Sequence, residues 1–223
     1  MLPETNQFRV TAVALNVRNG PSASALKIGS LPQGTVIERV EENEAGTWVK
    51  ILFEGTEAWV SKRFLRKVQY IPPPDEDFAW MAFAEAEKEK GVHEIPGAEN
   101  EPRVLEYLAA TSNLSQSVAS KDETPWCSAF VNWCVKQAGY EGTDHALARS
   151  WLDWGQAIET PRRGCIVVFQ REKKFGHVGF FIEETETEIK VLGGNQQNKE
   201  TLIFEVSEKS YAKSDWLGYR IPA

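Results

Sequence analysis

Three consecutive prolines, Pro72-Pro73-Pro74, divide the chain into two stretches whose hydrophobic periods differ, so one domain cannot satisfy both. Residues 8–66 alternate in short apolar runs broken by Asn19-Gly20-Pro21-Ser22, Pro32-Gln33-Gly34 and similar turn signals. Runs at Arg9 to Val17, Lys27 to Leu31, Thr35 to Val40, Trp48 to Phe53 and Ala58 to Ser61 predict a five-stranded small β-barrel. From Phe78 the period becomes helical, over Phe78 to Lys90, Pro102 to Ala110, Pro125 to Gln137 and Ala146 to Trp154. After Gly164 it returns to strands at Cys165 to Gln170, His177 to Glu183, Thr187 to Leu192, Thr201 to Val206 and Trp216 to Arg220. Helices followed by an antiparallel sheet make the second domain α+β. The expected organisation is a barrel over 1–67, a proline-rich spacer over 68–77 and a larger domain over 78–223.

Charge and cysteine usage narrow the function classes. A net charge of −7 and a pI near 5.2, with no clustered Lys/Arg face, argue against nucleic acid as a partner. The start, Met1 to Arg9, has no basic segment followed by an apolar one, and no apolar run is long enough to span a membrane. The expectation is synthesis in the cytoplasm without a signal peptide. Cys127, Cys134 and Cys165 cannot all pair, and the three histidines make no zinc-type spacing, so neither a disulfide framework nor a metal or other cofactor is expected.

Cys127 is the cysteine with chemistry. Thr124 before Pro125 reads as a helix N-cap with proline at the first helical position, which places Cys127 in the opening turn. Free N–H groups and the helix dipole there favour a thiolate and could hold an oxyanion. Phe130, Val131, Cys134, Val135 and Ala138 form the helix's apolar stripe, and Cys127 caps it, pointing to the sheet. Cys134, deeper on that stripe, and Cys165, opening an apolar strand, read as packing.

His177, in Gly176-His177-Val178-Gly179-Phe180, is the candidate base, and Gly179 on its face leaves room for the nucleophile helix. The imidazole needs a third group to hold its other nitrogen. Glu183 shares the face but lies about 20 Å along the strand. A hairpin turn centred on Glu186 places Asn195 opposite His177, whereas a two-residue turn one step earlier places Gly194 there. Asn195 is the expected third member, because its amide oxygen can accept from the ring N–H.

Two resemblances follow. Leu15-Asn16-Val17-Arg18-Asn19-Gly20-Pro21, Ile28-Gly29-Ser30-Leu31-Pro32, Trp48-Val49-Lys50-Ile51 and Gly55 to Val60 together resemble a bacterial SH3 domain, which implies wall-peptide or glycan binding. In that barrel the expectation is that Asn16 and Arg18 fix a turn and that Trp48 and Trp59 fill the core, with direct ligand contact by these four residues as the alternative. Asp122 to Trp133, Ala148 to Leu152, Gly176 to Phe180 and Leu192-Gly193-Gly194-Asn195-Gln196 are similar to the NlpC/CHAP-type, papain-like cysteine amidohydrolases. That resemblance implies a papain-like fold, Cys127 as nucleophile, His177 as base and peptidoglycan as substrate. The bond would be a stem-peptide amide or the N-acetylmuramoyl-L-alanine amide. The chain departs from the common Asp-Cys-Ser-Gly form in having Trp126-Cys127-Ser128-Ala129, and Lys121, Asp122 and Glu123 stand where papain-like enzymes often carry a glutamine.

Trp126, Asp122, Glu123, Ser128 and Trp151 are the candidate substrate contacts. Two alternatives belong to other classes: a wall-binding or adaptor protein with a silent hydrolase fold, and a toxin that cleaves or deamidates a protein. A wall substrate puts the workplace in the periplasm or cell wall after lysis or delivery, with a secretion apparatus or an immunity protein as possible partners.

Overall fold

In the computed structural model of the chain, the described residues are 6–68, 76–171 and 175–223. They divide into two compact units, one before and one after the proline spacer, whose residues 69–75 lie outside the described ones.

The first unit is all β: β1 (Gln7–Val10), β2 (Ala14–Arg18), β3 (Lys27–Pro32), β4 (Val36–Glu38), β5 (Glu41–Glu42), β6 (Trp48–Phe53), β7 (Thr56–Ser61) and β8 (Leu65–Lys67). Two antiparallel sheets, ordered β4-β1-β8 and β3-β2-β7-β6-β5, enclose a small core that includes Phe8, Val17, Ile37, Val49, Ile51 and Val60. The expected strand over Arg9 to Val17 is two strands, because Gln33 and Gly34 donate to the carbonyls of Val13 and Val10 and turn the chain between them. Arg18 donates from Nη1 to the Ala25 carbonyl at 2.6 Å, which ties down the loop after β2 as expected. The tryptophans are a correction. Strand alternation turns Val49 and Ile51 inward on β6, and Ala58 and Val60 on β7, so Trp48 and Trp59 face outward and are half-exposed.

The second unit packs helices on a sheet: α1 (Trp80–Glu89), α2 (Pro102–Ala109), α3 (Gln116–Ala119), α4 (Cys127–Gln137), then β9 (Gln156–Ile158), β10 (Ile166–Arg171), β11 (Phe175–Glu184), β12 (Glu188–Gln197), β13 (Phe204–Ala212) and β14 (Trp216–Ile221). All strand pairs are antiparallel, in the order β13-β12-β11-β10-β14-β9. The segment Ala148–Asp153 is a 3-10 helix where an α-helix was expected.

α4 is the central element. Every residue from Cys127 to Val135 is buried, so the helix is enclosed on all sides where the sequence pattern predicts one apolar stripe. Its outer side meets α2, where a buried carboxylate locks three elements together. Glu87 of α1 accepts from Arg103 at 2.7 and 2.8 Å, from the Tyr107 hydroxyl at 2.5 Å and from Lys90 at 2.8 Å. Burial alone would raise this carboxyl, yet those donors hold it down at about 2. Arg103 in turn lies over the Trp133 ring of α4 at 4.4 Å. Among the described residues, no helix is long and apolar enough to cross a membrane.

Candidate active site

Cys127 is the first residue of α4, with Trp126 as N-cap in a non-helical conformation (φ −114, ψ 12) and Phe130 N–H donating to the Trp126 carbonyl. The cap expected at Thr124 lies two residues too early, because the Thr124 hydroxyl is committed to the Val118 carbonyl at 2.7 Å. The consequence for the thiol is the same in kind: it sits among free amides of the opening turn. The backbone amides of Val178, Ser128 and Cys127 itself favour the thiolate form, so α4 brings the sulfur close to the residue next to His177.

The position of β12 makes this approach possible. Its pairing with β11 runs from Glu184↔Ile189 to Phe180↔Leu192, and a bulge follows at Gly194-Asn195, where the register with β13 steps between Gly193↔Ser207 and Gln196↔Glu205. Asn195 adopts φ 56, the left-handed conformation of the extra residue. A Cβ on Gly194 would run into the Trp126 ring and lie 2.8 Å from Phe130 Cβ, so the start of α4 presses directly on this glycine. Gly179 does not play that part, since a Cβ there would meet the Leu192 carbonyl at 3.0 Å and the Val191 side chain on the neighbouring strand.

The bulge also decides what faces His177. Near the turn the hairpin closes tightly, with Thr185 N–H donating to the Glu188 carbonyl. An irregularity between Phe181 and Glu183 then restores the register that counting from a turn at Glu186 predicts. Continued without interruption, that register brings Asn195 opposite His177. The extra residue at the bulge hands the face on to Gln196, which lines up with Gly193, Val191 and, on β13, Ser207 and Tyr211. Asn195 is buried, but no hydrogen bond joins it to His177.

Gln196 is fully buried and held from both ends. Its Nε2 donates to the Gly193 carbonyl at 3.2 Å and to the Ser207 carbonyl, and its Oε1 accepts from the Tyr211 hydroxyl at 2.9 Å. The Tyr211 ring stacks on His177 with centroids 4.8 Å apart and on Phe169 at 4.9 Å. Both nitrogens of the buried His177 ring are without a hydrogen bond. The Gln196 amide lies close enough to favour the cationic ring without completing a bond, because its nitrogen is committed elsewhere and its oxygen still has one lone pair free.

Burial dominates the electrostatics. It pushes the Cys127 thiol above its ordinary value, with the Arg171 charge and the three amides pulling the other way. Burial also pushes His177 well below its ordinary 6.5, helped by Arg171 and Lys209 and opposed by Gln196. The expected net lowering at the helix start is thus outweighed, and the resting pair is a neutral thiol and a neutral imidazole. Cys134 and Cys165 are buried, the first raised well above its ordinary value and the second up to about 12, in keeping with packing roles.

Most of the expected substrate contacts are closed to a ligand. Trp126 is 0% exposed, packed against Tyr107 and Phe130, and donates from Nε1 to Glu94 at 2.8 Å. Ser128 is buried with its hydroxyl donating to the His145 carbonyl at 2.7 Å, and buried Trp151 donates to that same hydroxyl at 2.9 Å. Asp122 is buried too, accepting through Oδ2 from the amides of Ile95 and Glu101, which folds the 95–101 loop over it. Only Glu123 stays exposed. Among the described residues, no cluster of three or more metal-ligating side chains occurs.

Two family models match parts of the chain. Residues 13–66 match the family model of the bacterial SH3 domain, and residues 119–195, which contain Cys127, His177 and Asn195, match that of the CHAP domain. No curated protein matches the chain in sequence. Among solved structures, an NlpC/P60 family protein from Bacillus cereus ATCC 10987 is 12% identical with a TM-score of 0.37, over 98% of this chain and 63% of that one. NlpC2 from Trichomonas vaginalis is 15% identical with a TM-score of 0.33, over 96% of this chain and 71% of that one. The chain therefore spans less than two thirds of the Bacillus cereus protein's length.

Proposed function

We propose that this chain, a bacterial SH3 domain followed by a CHAP domain, hydrolyses an amide bond of peptidoglycan with Cys127 as nucleophile and His177 as base. The observation that carries the reading is the approach of the Cys127 sulfur to the amide of Val178, inside a segment that matches the CHAP family. His177, neutral at physiological pH, takes the thiol proton as sulfur attacks the carbonyl carbon. Amides at the start of α4 stabilise the oxyanion, the imidazolium returns its proton to the leaving amine, and water then hydrolyses the thioester. Gln196, steadied by Tyr211, supplies the third polar group, and Asn195 supplies the bulge that puts it there.

The barrel serves this reading as the wall-binding half. Half-exposed Trp48 borders a cavity of about 370 Å³ that Asn16, Arg18, Arg63 and Phe64 also line, an aromatic surface with nearby cations suited to sugar and peptide. The substrate is either a stem-peptide amide or the muramoyl-L-alanine amide, and the workplace is the cell wall, reached by lysis or through a delivery partner.

A second reading, wall binding without cleavage, draws on the raised thiol and the unbonded imidazole. Release of soluble muropeptides from purified sacculi separates the two. The proposal expects release by the wild-type chain and none by Cys127→Ala. Retention on sacculi without release by either protein would favour the second reading.

A further inference from the structure

We propose that Arg171 and Lys209 form a subsite for a substrate carboxylate, so that the enzyme selects peptides with a free carboxylate near the scissile amide over their carboxamide forms. The inference rests on the hydrolase reading above and names the substrate feature that its site selects.

Strand register places both cations on the face of the catalytic imidazole. Arg171 follows Phe169 on β10, which pairs with His177, and Lys209 lies two residues from Tyr211 on β13. Both converge on the Tyr211 ring. The Arg171 guanidinium carbon is 5.7 Å from its centre and Nη2 donates to its hydroxyl at 3.2 Å, while Lys209 Nζ is 6.0 Å from the ring centre. The His177 ring stacks on the same Tyr211 ring, with centroids 4.8 Å apart.

Neither cation has an ion-pair partner among the described residues. Lys209 donates only to the Gln197 carbonyl, at 3.1 Å, and Arg171 only to the Tyr211 hydroxyl. This is unusual in a chain with 32 carboxylates against 25 Lys and Arg. The contrast is the residue before Lys209 on β13, Glu208, which takes both Lys88 at 2.5 Å and Lys190 at 3.3 Å. Both Arg171 and Lys209 are half-buried, and burial, then Arg171 and Lys199, lower the Lys209 amine. Two desolvated like charges repel each other, and an anion between them relieves that repulsion. The same Arg171 charge reaches both Cys127 and His177, so an anion bound to it is close to the chemistry.

The test uses the full chain and synthetic stem peptides in which each carboxylate in turn is replaced by a carboxamide. For the wild type, one of these replacements is expected to lower kcat/KM at least tenfold, chiefly through KM. Arg171→Gln should cleave acid and amide forms equally, Lys209→Met should narrow the difference, and Arg171→Lys should restore part of it. Indifference of the wild type to every replacement overturns the subsite, as does an Arg171→Gln variant that loses kcat equally on both forms, which would make Arg171 a thiolate stabiliser. Calorimetric binding of the same peptides to Cys127→Ala keeps the two proposals apart. If the wild type cleaves none of them, the hydrolase reading falls, while acid preference that Arg171→Gln erases still upholds the subsite and equal binding still overturns it.

Discussion

Trp48 and Trp59 of the barrel stand half-exposed, whereas Trp80, Trp126 and Trp151 of the second unit are sealed from solvent. The difference is one of volume. The barrel core is built from side chains such as Val17, Val49, Ile51 and Val60, and its short strands leave no interior space for an indole. In the larger unit the indoles are the core: Trp80 stacks on Phe78 at 4.5 Å and donates to the Gly164 carbonyl at 2.8 Å, and Trp126 fills the gap left by Gly194. The barrel's tryptophans are therefore open to a ligand and these three indoles of the second unit are not, while the aromatics that the second unit does expose include Phe175, two residues before His177, and Trp216.

That contrast can be broken most sharply at the two tryptophans themselves. Trp126→Ala should destabilise the second unit by about 3–5 kcal/mol, the range for deleting a fully buried indole. Trp48→Ala should instead weaken sacculus binding roughly tenfold, about 1.4 kcal/mol, while leaving the urea midpoint nearly unchanged. Equal stability losses at both positions in urea melts would remove the distinction.

Acid titration sharpens it further, because the second unit buries a neutral histidine. The unfolded chain binds a proton at His177 near pH 6.5 and the folded chain only well below that. Stability should therefore fall as pH drops below 6.5, by about 1.4 kcal/mol per unit, until the lower folded value is reached. His177→Gln should flatten that slope in urea titrations at successive pH values; an unchanged slope would mean that the imidazole is not the group responsible. The acid limb of kcat/KM should likewise lie below 6.5.

The smallest effects separate Gln196 from Asn195. Asn195 holds φ 56, which glycine tolerates, so Asn195→Gly should stay within a few fold of wild-type kcat. Gln196→Ala should lower kcat by tenfold or more, with an altered pH profile, because the imidazole loses its polar neighbour. The reverse ranking would make Asn195 the third member after all.

Element types and the positions of Cys127 and His177 are legible in the sequence, since period and turn residues are local properties. The outward tryptophans of the barrel are legible too, from the alternation Trp48-Val49-Lys50-Ile51 and Ala58-Trp59-Val60, once the aliphatic residues are given the interior. Gln196 is not. Counting from a hairpin turn assumes unbroken pairing, and a single bulged residue at Gly194-Asn195 shifts every later side chain to the other face. The only hint in the sequence is the glycine pair, which permits both the bulge and the close approach of Trp126. The full enclosure of α4 is equally hidden, because burial of Ser128 and Asn132 depends on partners far along the chain: the His145 carbonyl takes Ser128 at 2.7 Å, and Asn132 Oδ1 accepts from the Asp144 amide at 2.9 Å.

The central claim is that the thiol presented by α4 beside His177 cuts a wall amide. Mass spectrometry of sacculi digested in isotopically heavy water, with the wild-type chain and with Cys127→Ala, tests it most directly. The account predicts a single new amine and a heavy-oxygen carboxyl at one bond with the wild type, and neither with the variant. The same labelled terminus from Cys127→Ala, or no new terminus from the wild type, would contradict it.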